Sequence, residues 1–259
     1  MTRTMDLGAR IAAFHWDRKR ARRLFLVHFP LALIHLPLAF AIIGLPGLLL
    51  FGYFALRSWR RWSSRTPAIE LHEHGGVDHR GAHSVRFRYE ELHRYQLINR
   101  VLRFPFPFSF LSMHGMALTA SLRGRHFLVN EHIEDIAACI ATLQAGILRQ
   151  RLPTMRAALE AGEMLRFGPF AMSNAGISLG RRLLAWEQMA GVRGGSWQMG
   201  RQVDPALMFI DANGQRWDVA TRSGLADPAL FIALIADRKP LEPPTLLRDF
   251  CGLPESSMQ

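Results

Sequence analysis

The sequence predicts an α+β protein: an N-terminal transmembrane helical hairpin, then two copies of one unit of short antiparallel strands closed by a helix. Three observations carry this prediction. Leu24 to Leu56 contains no Asp, Glu, Lys or Arg and is bracketed by arginine clusters. After residue 65 the pattern changes to alternating strands and glycine turns. The order of strands, turns and helix found there then recurs, with Gly124 and Gly214 as corresponding turn residues 90 positions apart.

The first element rests on charge. The 259 residues hold 32 Lys+Arg against 21 Asp+Glu, a formal net charge of +11. Arg18, Lys19, Arg20, Arg22 and Arg23 form one cluster, and Arg57, Arg60, Arg61 and Arg65 the other. Asp17 is the only acid from 17 through 65. Outside that window 23 cations face 20 acids, so the excess does not stripe a folded surface and nucleic acid is not the expected partner. An uncharged run of this length reads as membrane-embedded, because charge is costly in the bilayer centre. As one helix it would be about 50 Å long against a hydrocarbon core of about 30 Å. Pro30, Pro37 and Gly44-Leu45-Pro46-Gly47 are breakers. Both flanks are basic and carry tryptophan (Trp16, Trp59, Trp62), which favours placing both on the cytoplasmic side. A hairpin turning near 44–47 follows, with a single tilted span over 24–43 plus an interfacial helix as the alternative. The nine cations are the candidate contacts to anionic lipid. His28 and His35 recur seven residues apart and read as neutral imidazoles packed on the second leg. No signal peptide is expected, since the apolar run is too long and lacks a cleavage site.

The first unit opens on the strand Ile69-Glu70-Leu71, a turn at Gly75-Gly76, and the alternating strand Ser84 to Tyr89. Gly115 to Leu122 and His126 to Val129 flank Arg123-Gly124-Arg125 as a hairpin. Asn130 then caps a helix whose Ile133, Ile136, Ala137, Ile140, Leu143 and Ile147 share a face. The second unit repeats the order. Phe167 to Ser173 is a strand, Asn174-Ala175-Gly176 a turn, and Ile177 to Leu179 a strand. Asn213-Gly214 is a hairpin turn, and Asp227-Pro228 opens the closing helix. The chain thus divides into a basic segment and membrane hairpin (1–65), a first unit (66–150), a linker and second unit (151–240), and a C-terminal tail (241–259).

Two residue patterns carry a family resemblance. Glu70-Leu71-His72-Glu73-His74-Gly75-Gly76-Val77 is followed by Phe87-Arg88-Tyr89-Glu90-Glu91-Leu92. Ala161 to Gly168 is followed by Ser173 to Ile177 and by Ala185-Trp186-Glu187-Gln188-Met189. Over roughly residues 65–240 the chain resembles an uncharacterised bacterial family of membrane-anchored proteins with tandem pleckstrin-homology-like (PH-like) domains. The resemblance implies a bent antiparallel sheet or small barrel plus a C-terminal helix in each unit, and no catalytic residues.

The search for chemistry yields few candidates. Cys139 and Cys251 lack ligand-type spacing. His72, His74, His79 and His83 cluster around the first turn and could hold zinc with a carboxylate, although a solvent-facing hairpin is the simpler reading. Glu90/Glu91 and Glu187 follow an aromatic at matching places in both units, which points to structure rather than acid–base chemistry. No nucleotide, hydrolase or metalloprotease motif occurs. Phe104, Phe106, Phe108 and Phe110 alternate with prolines as a candidate apolar contact loop.

The expected protein is therefore a non-enzymatic scaffold at the bacterial inner membrane, with no cofactor or resident metal. It presents two PH-like domains to the cytoplasm for protein or lipid-headgroup binding, so its partners are membrane lipids and a protein. A membrane-held immunity or assembly factor that blocks one partner is the second expectation. A metal-dependent membrane enzyme using the histidine cluster is the third.

Overall fold

The computed structural model describes residues 5–39, 45–81, 83–103, 112–130, 132–199 and 202–251. The chain opens with strand β1 (Arg10–Phe14) and turns into two antiparallel helices, α1 (Arg18–Ala39) and α2 (Leu45–Ser63). Strands β2 (Ile69–His72), β3 (Gly75–Asp78) and β4 (Val85–Arg88) complete a four-stranded antiparallel sheet in the order β1-β2-β3-β4. The helical hairpin is thus an insertion between two paired strands, with Phe14 opposite Ile69. A 3-10 turn leads to the antiparallel meander β5 (Leu92–Arg103), β6 (Ser112–Leu122) and β7 (Arg125–Asn130). The long helix α3 (Ile136–Glu160) closes the unit.

The second unit repeats this order without the insertion. Strands β8 (Leu165–Phe167), β9 (Phe170–Ser173), β10 (Gly176–Leu179) and β11 (Arg182–Ala185) form the second four-stranded sheet. Where the first unit carries the hairpin, Gly168-Pro169 alone joins Phe167 to its partner Phe170. A 3-10 turn leads to β12 (Met189–Met199), β13 (Gln202–Asp211), β14 (Arg216–Thr221) and helix α4 (Pro228–Ala236). Residues 241–251 are built into this unit. Strand β15 (Leu241–Glu242) pairs parallel with β12, and helix α5 (Leu246–Cys251) buries Leu246, Leu247, Phe250 and Cys251.

The same local devices serve both units. Tyr89 in the first 3-10 turn donates its hydroxyl to the His72 carbonyl at 2.8 Å. Trp186 in the second donates its indole N–H to the Ser173 carbonyl at 3.0 Å. Each acceptor ends the second strand of its sheet, so the aromatic pins the 3-10 turn to that strand. The glycines expected in turns instead begin strands. A Cβ on Gly75 would lie 2.0 Å from the Phe87 carbonyl oxygen, and one on Gly176 would lie 2.1 Å from that of Leu184. Both residues are glycine because a neighbouring backbone crosses there. Asp135, rather than Asn130, caps α3: it sits at φ +48° and accepts from the Ala138 N–H.

One buried cluster runs through both units. Phe87, Tyr89, Leu118, Ile140 and Ile147 of the first join Phe167, Phe209 and Phe231 of the second. Helix α4 is buried along eight successive residues, Pro228 to Ile235. The seam also carries polar contacts. Asp227 accepts from the Tyr95 N–H at 3.1 Å, and its own N–H donates to the Tyr95 carbonyl at 2.7 Å. Arg151 of α3 grips the Asp227 carboxylate bidentately at 3.0 and 3.2 Å.

Two fold expectations are corrected. The hairpin is present, but among the described residues no helix is long and apolar enough to cross a membrane. The reason is where the charges fall. Helix α1 spends its first two turns on arginine and lysine, which leaves about 24 Å of uncharged helix over 24–39. Helix α2 meets Arg57 after about 18 Å, and both lengths fall short of a hydrocarbon core of about 30 Å. Nor does either unit form one bent sheet or a closed barrel. Each splits into small, separate sheets, because the 3-10 turn at Tyr89 or Trp186 interrupts pairing between the fourth and fifth strands. Pro30 and Pro37 do not end α1, which continues through both.

Candidate functional site

The hairpin segregates its residues along its length. Asp17 caps α1 by accepting the Arg20 N–H at 2.9 Å. Arg18 reaches across to the Ser64 carbonyl at 2.9 Å, tying the start of α1 to the end of α2. Arg18, Lys19, Arg20, Arg22, Arg23, Arg57, Arg60, Arg61 and Arg65 therefore gather at one end, the base that adjoins the first sheet. Cations at the start of a helix oppose its dipole, so helix stability does not account for the first cluster. Arg60 and Arg61 close α2 with the favourable sign.

Above the base the hairpin is apolar and open. Leu26, Val27, Ile34, Leu49 and Leu50 are exposed, Leu49 at 65% and Ile34 at 60%. Between the helices runs an apolar groove of about 540 Å³ lined by Phe25, Phe29, Leu33, Leu48, Leu56 and Trp59. Gly52 also borders it, where an added Cβ would meet nothing within 4 Å. The histidines are absorbed by helix packing. His28 donates from Nδ1 to the Leu24 carbonyl at 2.6 Å, while His35 stacks on Phe51 at 5.4 Å and abuts Gly47.

Where the hairpin meets the first unit lies a cleft of about 640 Å³. Arg57, Arg60 and Arg61 line one wall, and Asp78, His79 and Arg80 the other. Arg61 lies 5.0 Å over the Trp16 ring, and Arg57 donates to the Tyr53 hydroxyl at 3.3 Å. Arg80 holds Asp78 bidentately at 2.8 Å, donates to the Leu128 carbonyl, and lies 5.4 Å over Phe127. Burial, with Arg57 next in weight, pushes the Arg61 pKa down to about 10. The group stays charged at neutral pH in a crowd of like charge. Cations from the linear clusters thus meet His79, singled out only as a metal candidate, and Arg80, which the sequence did not single out. The signal missed was topological: an insertion between β1 and β2 must return beside the β3–β4 loop.

Of the histidine cluster only His79 lines this cleft, and the other candidates remain apart from it. Glu70 Oε2 lies 3.9 Å from His72 Nε2 and 3.8 Å from His79 Nε2, while His74 accepts from Gln150 at 3.0 Å and His83 is exposed. Among the described residues no group of three or more His, Cys, Asp or Glu is placed to hold a metal ion. Glu91 pairs with Arg123 and accepts the Arg88 N–H, whereas Glu187 is exposed. Cys139 and Cys251 are buried and free, and burial pushes the Cys139 thiol up to about 12. Phe104, Phe106, Phe108 and Phe110 lie outside the described residues.

None of the curated proteins compared with it matches the chain. The family model that does match covers residues 2–195, from ahead of β1, through the whole hairpin and first unit, into β12. Spanning most of the 259 residues, that match makes the chain a member of a family of unknown function, DUF6585.

Proposed function

We propose that the protein is a non-enzymatic recognition scaffold that docks on an anionic membrane surface through its hairpin, without crossing it. The observation that carries this reading is the exposed apolar flank of α1 and α2 ending abruptly at a base of clustered cations. An exposed apolar surface rimmed by charge is expected to bury itself in an interface. Lipid acyl chains suit the hairpin's flank, and anionic headgroups suit the arginines at its foot, at about 1 kcal/mol per cation. Trp59 and Trp62 lie at the level where such rings partition. Anionic lipid is characteristic of a cytoplasmic leaflet, which supports a protein that works there. The resemblance to proteins with tandem PH-like domains supports binding rather than catalysis by the two units, with a protein as their partner.

Flotation of the full chain with phosphatidylcholine vesicles, with and without phosphatidylglycerol, tests the reading. Binding to both, stronger with phosphatidylglycerol, is expected. Phe29→Asp/Leu49→Asp, at two exposed positions, should abolish flotation while leaving thermal unfolding unchanged. Equal flotation of that variant rejects membrane docking by the hairpin.

A further inference from the structure

We propose that the cleft at the hairpin base binds the phosphate of an anionic phospholipid, with an acyl chain of that lipid lying in the adjoining apolar groove. The inference deepens the membrane-docking reading and rests on it, since it assigns one lipid class to one site.

Three features of the cleft converge. Arg57 lies one turn before Arg60 and Arg61 on α2, within i+3 and i+4 reach of them, and all three line the same space. Arg80 faces them from the loop after β3. Asp78 is the only carboxylate lining the cleft among the described residues, and Arg80 already neutralises it. The α2 guanidiniums thus share a half-enclosed space without an acid assigned to them. Guanidinium matches phosphate through paired N–H donors, more closely than a point charge does.

The second part concerns shape. Leu56 lines the cleft on one side and the apolar groove on the other. Charge on one flank of Leu56 and a nearly wholly apolar channel on the other describe an amphiphile with its acidic head at the base. A free phosphate compound would use the cleft and leave the groove empty. A detergent-like neutral molecule would use the groove and leave the cations unmatched.

Calorimetric titration of the full chain in non-ionic detergent distinguishes these occupants. The probes are dioctanoyl phosphatidic acid, dioctanoylglycerol, glycerol 3-phosphate and inorganic phosphate. Dioctanoyl phosphatidic acid should bind at least tenfold more tightly than each of the other three. Arg57→Gln/Arg60→Gln should weaken it at least tenfold with unchanged thermal unfolding. Arg166→Gln/Arg181→Gln, which removes the same charge from exposed positions of the second unit outside the cleft, should weaken it less than twofold. Equal weakening by the two double variants overturns the site in favour of diffuse charge attraction. Equal affinity for glycerol 3-phosphate overturns the lipid as occupant, and equal affinity for dioctanoylglycerol overturns the role of the phosphate. Flotation on pure phosphatidylcholine reads the hairpin alone, so failure of docking and failure of the cleft are separate results.

Discussion

Asp227 shows how one residue can hold two units together. It stands where an N-cap stands, ahead of Pro228 at the start of α4, in the left-handed region at φ +51°. Its side chain makes no cap. It accepts instead from the Tyr95 backbone and from Arg151, 132 and 76 residues away in sequence. The pair is nearly enclosed, with side chains 14% and 6% exposed. Removing one partner from such a pair leaves a buried charge. Asp227→Ala should therefore cost about 3–5 kcal/mol, read as a shift of the urea midpoint. The two thiols give a second prediction at this scale. With Cys139 pushed up to about 12 and Cys251 pushed higher by burial, neither is a thiolate at pH 8. Ellman's reagent should react only as the chain unfolds. Stability should fall as the pH rises above about 9, because the unfolded thiols ionise first and bind fewer protons than the native ones.

At the scale of elements, the aromatic of each 3-10 turn is the component the sequence advertised most clearly. Tyr89 and Trp186 recur at matching places because each must donate to the end of the second strand. Their acidic neighbours, Glu90/Glu91 and Glu187, recur beside them without meeting in one site. Helix α3 is shaped to receive Tyr89: a Cβ on Gly146 would come within 2.4 Å of that ring. Gly146→Ala should therefore destabilise the protein by about 1–3 kcal/mol, the usual cost of overpacking, although alanine favours helix. Chemical denaturation of that variant checks the sign. The hairpin gives the opposite prediction, because β1 and β2 stay paired whether or not helices lie between them. The second unit joins the corresponding strands through Gly168-Pro169 alone. Replacing residues 18–64 with a short Gly/Ser linker should leave the strand content of the circular dichroism spectrum intact and abolish vesicle flotation.

Across the whole molecule the two units behave as one body. Their buried residues form a single cluster, α4 contributes Ala229 to Ile235 to it, and Arg156 of α3 pairs with Asp237 beyond α4. Neither unit can unfold without exposing the other's core, so heat or urea should produce one transition, with calorimetric and van't Hoff enthalpies in agreement. Two separated calorimetric peaks would contradict the shared core. Much of this architecture was legible from composition and period. The charge-free stretch between arginine clusters marked the hairpin, and the recurring order of turns marked the two units. Two features were not legible, the break of each sheet into two and the absence, among the described residues, of a helix that reaches membrane thickness. Hydropathy averaged over a long run does not reveal where a helix will begin and end. Here the helices begin at Arg18 and end at Ser63, inside the charged flanks. The cleft was likewise invisible, since Arg80 looks like an ordinary turn residue, and His79 like one of a histidine cluster, until β3 and β4 pair.

The sequence by itself determined which residues seek burial and which seek water. Local period and charge express that preference within a few residues, so the apolar hairpin, its basic ends and the two-fold repeat of units follow directly. The tertiary structure alone decided which distant residues share a space. It set the hairpin between β1 and β2, brought Arg57, Arg60 and Arg61 beside Arg80, and locked Asp227 onto Tyr95. Those encounters depend on strand pairing and core packing between positions far apart in the chain, where no local pattern records the partner.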